Sequence, residues 1–392
     1  MGAVNILKEF KHLIDSYWTA IYGLFHPIEN KVLFESFGGK QYSDNTRAIS
    51  EKLHELYPEY QIVWAINNPK QIHIIPSYVK TVSRIGKDFY RELATSFCFV
   101  TNVGITQNIH KRKEQFFIQT WHGDRALKKV LYAEFPDGKG MTPVIDNKVT
   151  DLCVAASDLG IQQYKNAFRY NGEILNVGMP RNDILVNGNP SIDSIVRKEL
   201  GIPRNTKILI YAPTFRDNKK EKQNVDVDLL RTINALEVRG DKWVCLIRAH
   251  SASSGLDFSN YSDKFINASS YPDMADLLAV GDMLLTDYSS SAGDFILRNK
   301  PMIVLMFDKE DYSENYRKFN YDCDQEGSPF LVAHSQEELE KIILTYSEED
   351  YSENCKKIID YFHICETGKS SIEICKRIHL FYLEHYKRSI YQ

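Results

Sequence analysis

Apolar residues along the chain fall into short runs that are separated by stretches with helical spacing. Each run is about as long as a buried strand, and polar turn residues follow several of them. With their polar ends, the runs lie at 32–37, 61–66, 73–76, 97–103, 116–124, 151–157, 173–183, 207–217, 242–250, 283–285 and 301–307. Between them, segments such as Thr46–Leu56 have the periodicity of a helix. This alternation predicts open parallel α/β sheets.

A polar stretch, NGNPSIDS at 187–194, divides these elements into two series. We predict an N-terminal domain over 31–188 and a C-terminal domain over 189–369. A helical segment over 1–30 precedes them, and a helix over 370–392 follows. Open α/β sheets bind ligands at the carboxyl ends of their strands, so two such domains predict a ligand cleft between them.

The segment 4–25 forms a wide apolar face at helical spacing. Its apolar residues are Ile6, Phe10, Leu13, Ile14, Trp18, Ile21, Tyr22 and Phe25. Aromatic side chains such as Trp18 suit a membrane interface, although two nearby lysines are offset by Glu9 and Asp15. Two interpretations stay open: a helix that lies on the membrane surface, and a helix packed on its own domain.

Composition and charge narrow the class of protein. The formal net charge of the 392 residues is −4, which gives no basis for nucleic-acid binding. No apolar run approaches the ~18 residues of a membrane-spanning helix, and the N-terminus lacks a secretory pattern. The seven cysteines show no CxxC spacing, and Cys98, Cys153 and Cys245 lie inside apolar runs. They are typical of reduced core residues, which favours the cytoplasm and indicates neither disulfides nor zinc.

Four polar clusters come directly after predicted strands, where an open sheet binds its ligand. They are TWHGD (120–124), APTFRD (212–217), IRAH (247–250) and TDYSS (286–290). Two histidines, two arginines and a group of serines favour an anion site. The last cluster leads into a predicted helix start, whose N–H groups also attract anions. The alternative is that Ser290 or Ser291 only caps that helix.

Other common motifs are missing from the sequence. ETGKSS (366–371) is similar to a phosphate loop, but His363 stands where that motif needs its first glycine. No GxGxxG follows a strand, and no GxSxG elbow or HExxH is present. The sequence therefore indicates no dinucleotide site, no typical α/β-hydrolase and no zinc centre.

The chain resembles the CDP-glycerol glycerophosphotransferases of teichoic acid and capsule synthesis, from about Val32 to Ile378. The matching segments, in the family's order, are GKQYSDNTRAI (39–49), QTWHGDRALKK (119–129), GMPRNDIL (178–185), YAPTFRD (211–217), RAH (248–250), TDYSSSAGDF (286–295), RNKPMIVLMFD (298–308) and ETGKSS (366–371). The resemblance implies a GT-B architecture of two Rossmann-like domains that face a cleft. It also implies transfer of a polyol phosphate from CDP-glycerol or CDP-ribitol to a hydroxyl of a lipid-linked saccharide or polyol-phosphate acceptor. CMP would leave, and the enzyme would act at the cytoplasmic membrane surface, with the N-terminal helix on the lipid.

The resemblance and the chemistry together assign roles to the polar residues. His122 is predicted to be the general base, because imidazole titrates near neutral pH. His250, Arg248 and Arg216 would hold the donor phosphates, with His250 chiefly as a charge clamp. The remaining predicted donor contacts are Ser289 and Ser290 for the phosphate that stays with CMP, Asp294 for the ribose, and Asp287, which could instead orient His250.

Two departures from the family pattern affect the predicted acceptor site. The usual HGTPLKK is HGDRALKK here, and the usual RMHP is RAHS. Asp124, Arg125 and Arg181 are our candidates on the acceptor side. The polyol, the number of units added and the presence of a divalent cation with the donor stay open, and no cofactor or dedicated metal site is evident. A nucleotide-sugar transferase of the same fold and a non-catalytic binding module are the competing hypotheses.

Overall fold

Two parallel β-sheets organise the chain, and their strands alternate with helices. The computed structural model describes residues 14, 17–104, 109–138, 145–214, 227–248 and 263–387. The two sheets confirm the predicted α/β class. Because both faces of each sheet are covered, the strands are nearly continuous apolar runs, as parallel strands usually are.

The first sheet has seven strands in the order β3-β2-β1-β4-β5-β6-β7. Its strands are β1 (Glu29–Glu35), β2 (Gln61–Ala65), β3 (Lys80–Val82), β4 (Ser96–Thr101), β5 (Phe116–Gln119), β6 (Leu152–Ala155) and β7 (Glu173–Asn176). We call this sheet and its helices the first lobe.

The second sheet has six strands in the order β10-β9-β8-β11-β12-β13. Its strands are β8 (Lys207–Ala212), β9 (Trp243–Ile247), β10 (Phe265–Asn267), β11 (Met283–Thr286), β12 (Met302–Leu305) and β13 (Leu331–Ala333). We call this sheet and its helices the second lobe.

The helices pack along these sheets or join them. They are α1 (17–25), α2 (Asp44–Leu56), α3 (Lys87–Thr95), α4 (Asp158–Asn166), α5 (Asp183–Asn187), α6 (Pro190–Leu200), α7 (Leu229–Glu237), α8 (Met274–Val280), α9 (Ser291–Phe295), α10 (Lys309–Asn315), α11 (Gln336–Thr345), α12 (Glu348–Tyr361) and α13 (Ser370–Tyr382).

Strand order reverses once in each sheet, between β1 and β4 in the first and between β8 and β11 in the second. Loops diverge at such a reversal and leave a crevice at the carboxyl ends of the strands. The loops after these four strands all contribute to the site described below. In the structure the two crevices, one from each lobe, face each other.

The core of the first lobe explains where the last helix lies. Val32 and Phe34 of β1 pack with Ile374 and Ile378 of α13 on one face of the sheet. On the other face, Leu33 packs with α3. The C-terminal helix thus returns to the first lobe after the chain has completed the second. The predicted domain limits themselves stay a prediction.

One predicted strand is wrong. Residues 73–76 were expected to be extended, but Pro69–Ile74 form a 3₁₀ helix. Pro69 lies in its first turn, and the side chain of Asn68 caps it by accepting the backbone N–H of Lys70. The strand of this region is β3, which pairs with β2 farther along the chain.

The predicted N-terminal helix is described only in part. Residues 17–25 are helical, and residues 4–13, 15 and 16 lie outside the described residues. None of the helices that the structure describes combines the length and the apolar character needed to cross a membrane.

Candidate functional site

A cleft of about 630 Å³ lies between the two lobes, at the carboxyl ends of both sheets. The first lobe contributes the loops after β1 and β5, and the second contributes the loops after β8, β9 and β11. Among the lining residues that the sequence predicted are His122, Arg181, Arg248, Ser289, Ser290 and Asp294. The cleft therefore brings together residues that are far apart in the sequence.

His122 lies just beyond β5, in the wall of the first lobe. Its Nδ1 is 2.8 Å from the backbone oxygen of Asn102. A carbonyl oxygen can only accept, so Nδ1 carries the hydrogen and the neutral ring has its lone pair on Nε2. Phe37 and Trp121 enclose the ring, at centroid distances of 5.4 and 4.1 Å. This geometry prepares one nitrogen to accept a proton.

Asn102 organises this wall at the reversal between β1 and β4, and our sequence analysis missed it. Its side-chain oxygen accepts the backbone N–H of Phe37 at 2.8 Å. Its amide nitrogen donates to Ser36 and to Asp44, each at 3.1 Å. The one signal in the sequence was its position at the polar end of the predicted run 97–103.

Charges around His122 act on its pKa in opposite directions. Burial lowers the pKa below its usual value near 6.5, whereas the hydrogen bond to Asn102 and the carboxylate of Asp44 raise it. The guanidinium of Arg181 lowers it further. The net effect is a lowered pKa, so the ring is largely neutral at neutral pH and able to act as a base.

Arg248 lies on the opposite wall, immediately after β9. Its Nη1 donates to the backbone oxygens of Ala268, at 3.0 Å, and of Ser269. Its backbone N–H donates to Tyr211 at 2.8 Å. These contacts hold a guanidinium beside the cleft, where it can bind an anion.

The three serines after β11 form the edge of the second lobe at the cleft. Ser291 donates its hydroxyl and its backbone N–H to the hydroxyl of Ser289, and Ser290 at the N-cap makes no side-chain capping hydrogen bond. That helix, α9, has only five residues and continues as a 3₁₀ turn, so its dipole is small. The hydroxyl groups of the serines are therefore the main donors at this edge.

Asp287 and Asp294 have well-defined partners. The carboxylate of Asp287 is buried and accepts the backbone N–H of Thr214 at 2.7 Å, which shapes the loop after β8. Asp294 accepts hydrogen bonds from Arg125, Arg181 and Asn182 at 2.9–3.1 Å. These contacts give Asp294 an interlobe role that the sequence did not indicate, and its ribose role stays a prediction.

The three acceptor-side candidates are all buried. Asp124 and Arg125 lie behind the cleft wall rather than along it, whereas Arg181 reaches the cleft. Glu366, from the segment between α12 and α13, joins them by accepting from Arg125 at 3.0 Å and from Asn182 at 2.8 Å. Nothing in the sequence pattern placed Glu366 in this cluster.

Two predicted donor residues, Arg216 and His250, lie outside the described residues. Among the residues that are described, no group of three or more His, Cys, Asp or Glu side chains is arranged to hold a metal ion.

Two parallel α/β lobes, each with its strand reversal at a shared cleft, define a protein of the GT-B-like class. The chain belongs to the family described as CDP-glycerol:poly(glycerophosphate) glycerophosphotransferase, whose sequence model matches residues 20–380. The family resemblance inferred from the sequence is thereby confirmed.

Its curated relatives include enzymes of teichoic acid synthesis. A teichoic acid poly(glycerol phosphate) polymerase of Staphylococcus epidermidis is 30% identical over 89% of this chain and 50% of that protein. One from Bacillus spizizenii is 28% identical over 95% of this chain and 99% of that protein. The chain spans about half the length of the S. epidermidis and Bacillus subtilis polymerases that it matches.

A solved structure confirms the architecture. The wall teichoic acid polymerase TagF superimposes with a TM-score of 0.82 at 27% identity, covering 98% of this chain and 100% of that one. A TagF variant that was soaked with CDPG has a TM-score of 0.82 at 26% identity, covering 99% of this chain and 100% of that one.

Proposed function

We propose that this protein transfers a polyol phosphate, most directly glycerol phosphate, from a CDP-linked donor to a hydroxyl of a teichoic acid acceptor. The observation that carries the proposal is the pairing of His122 on one wall with Arg248 and the serine edge on the other. Family membership and the names of the relatives support the donor class.

The proposed reaction is one displacement at phosphorus. The acceptor oxygen attacks the phosphorus that carries the polyol, and its proton passes to Nε2 of His122. The bond from that phosphorus to the bridging oxygen breaks, and CMP leaves with that oxygen. A phosphate monoester has a second pKa of about 6, so CMP departs without a strong general acid.

The walls of the cleft fit the charges of this reaction. Ser289, Ser290 and Arg248 would hold the phosphate that remains with CMP, by hydroxyl and guanidinium donors. Lys40 and Lys128 line the cleft on the first lobe, where an acceptor that carries phosphate needs positive charge. Arg216 and His250 keep their predicted donor roles.

We also propose that α1 places the enzyme on the cytoplasmic surface of the membrane, where a lipid-linked acceptor would be found. The support is an exposed apolar row formed by Tyr17, Ile21, Leu24 and Phe25 on α1, together with the exposed Ile14 that precedes the helix. Leu24 and Phe25 are 81% and 78% exposed, which is unusual for large apolar side chains on a helix that also packs on its own lobe.

The test is nucleotide release by the purified protein with a lipid-linked acceptor and, separately, CDP-glycerol, CDP-ribitol and UDP-sugars. We expect CMP release from a CDP-polyol and a product that is heavier by whole polyol-phosphate units. The mass series also gives the number of units added. Release of UDP would instead favour a sugar transferase, and no release from any donor would favour a binding module. The variant His122→Gln is the inactive control.

A further inference from the structure

Arg125 belongs to the same loop as His122 but reaches into the other lobe. Its side chain is 2% exposed. Its Nε donates to the backbone oxygen of Gly293 at 3.1 Å, and its Nη2 donates to Asp294 at 2.9 Å. Gly293 and Asp294 lie in α9, which begins at Ser291 of the serine edge. One guanidinium thus joins the loop of the proposed base to the helix that follows the proposed phosphate-binding serines.

The neighbouring residue, Asp124, fixes the backbone of Arg125 within the first lobe. Asp124 accepts the backbone N–H of Ala156 at 2.9 Å and the hydroxyl of Ser157 at 2.6 Å. An ideal Cβ on Gly160 would lie only 1.7 Å from the carboxylate of Asp124, so α4 also packs directly against it. Arg125 therefore extends from a rigid support, and its reach to the second lobe is well defined.

Two glycines let the loops approach closely. A Cβ on Gly123 would lie 3.2 Å from the hydroxyl of Ser290, and a Cβ on Gly293 would lie 2.6 Å from Cβ of Arg125. The second distance is too short for two carbon atoms that are not bonded. The lobes are in van der Waals contact at this point, beside the cleft rather than across its mouth.

We propose that Arg125 is a positioning residue, which holds His122 at the working distance from the phosphate-binding serines. This inference rests on the proposed transfer reaction. Attack on phosphorus requires base and donor in register, and a displacement of about 1 Å can lower the rate ~100-fold. Asp124, Arg125 and Ala126 stand where the usual family motif has Thr-Pro, and this replacement would thus supply an interlobe tie. Arg125 would not bind the acceptor.

The test separates kcat from donor binding. The residues proposed to hold the donor phosphates, Arg248, Ser289 and Ser290, all lie on the second lobe. Asp294, the predicted ribose contact, would keep its hydrogen bonds from Arg181 and Asn182 without Arg125. Donor affinity should therefore depend on Arg125 much less than kcat does. In Arg125→Lys, which keeps the charge but loses the planar fork, we expect kcat for CMP release to fall ~10- to 100-fold. The donor Kd, measured by calorimetry, should change less than ~2-fold. Gly293→Ala should likewise lower kcat and leave the donor Kd nearly unchanged. Its methyl group would force the two segments apart while Arg125 remains.

Arg47→Lys is the matched control. Arg47 also crosses between the lobes, to Asp276 at 3.0 Å, but from α2 and away from the serine edge. Its kcat should stay within ~3-fold of the wild type. If Arg47→Lys lowered kcat as much as Arg125→Lys, any contact between the lobes would affect the rate equally. The inference about Arg125 would then be wrong. A raised acceptor KM with unchanged kcat in Arg125→Lys would make Arg125 an acceptor ligand and would also overturn it.

Hydrogen exchange gives a readout that does not need activity. We expect faster exchange of the amides at 289–294 in Arg125→Lys and unchanged exchange there in Arg47→Lys. An inactive wild type would contradict the proposed function but would leave this comparison intact. Unchanged exchange and unchanged kcat in Arg125→Lys would contradict the positioning role.

Discussion

At the residue scale, the imidazole of His122 shows how one backbone contact can decide the chemistry of a side chain. The carbonyl oxygen of Asn102 holds the hydrogen on Nδ1, which leaves Nε2 as the basic atom. Burial beside Arg181 lowers the pKa, and Asp44 partly offsets that effect. A histidine motif alone predicts a base, but its tautomer and its pKa depend on these neighbours.

This environment predicts the pH profile of the reaction. The base must be neutral, so activity should fall as the pH drops through the pKa of His122, with a midpoint below 6.5. In Asp44→Asn the midpoint should move lower still, because a carboxylate that favours the charged ring is lost. The measurement is kcat/KM for CMP release between about pH 5 and 8. A midpoint above 6.5, or an unchanged profile in His122→Gln, would exclude this base.

At the scale of single elements, the strand order of the two sheets explains where the site lies. The exposed side chains of α1 support the proposed binding to a membrane. Loops after β1 and β5 meet loops after β8, β9 and β11 because the strand order of each sheet reverses beside the cleft. The helix α1 differs from the buried apolar strands. It keeps Thr19 buried while it leaves large apolar side chains in solvent.

Membrane binding by α1 predicts a loss on charge insertion. Leu24→Glu with Phe25→Glu should move the 392-residue chain from floating vesicles of phosphatidylglycerol and phosphatidylethanolamine to the soluble fraction, because carboxylates resist burial in lipid. Val238→Glu is the control, since Val238 is 75% exposed but lies on the second lobe. Equal flotation of the wild type, the double variant and Val238→Glu would mean that α1 is an ordinary surface helix.

At the scale of the whole molecule, the two lobes are joined by a buried cluster with more carboxylates than guanidinium groups. Arg125 and Arg181 face Asp44, Asp124, Asp294 and Glu366. The pKa values of two of these carboxylates, Asp294 and Glu366, shift in opposite directions. The arginines hold the pKa of Asp294 low against its burial, whereas burial raises the pKa of Glu366 to about 6.

The raised pKa of Glu366 predicts that its contribution to stability falls as pH increases. Between 4.5, its ordinary value, and about 6, the folded state binds more protons than the unfolded state. The free energy of unfolding should therefore decrease over this window, by about 2 kcal/mol from this group. Urea unfolding at pH 4.5 and pH 7.5 measures this decrease in the free energy of unfolding. The decrease should be smaller in Glu366→Gln than in the wild type. The same difference in both proteins would mean that Glu366 does not titrate in this range.

Most of the site could be predicted because it lies at strand ends, and strand ends are readable from the sequence. His122, Arg248 and the serines each follow an apolar run that did become a strand. Asp44, Asn182 and Glu366 could not be found this way, because their partners come from other elements. The strand expected at 73–76 failed for a local reason, since the Asn-Pro pair before it favours a capped turn.

The order of apolar and polar residues by itself determined the alternating elements, the two sheets and the polar edge at which they would bind a ligand. These properties depend on periodicity and on neighbouring residues, which a linear chain displays directly. Only the tertiary structure decided which polar groups face the cleft and which lie behind it, as Arg125 does. Burial and pairing are properties of three-dimensional contact, and the same arginine can bind a substrate or join two lobes depending on what lies opposite.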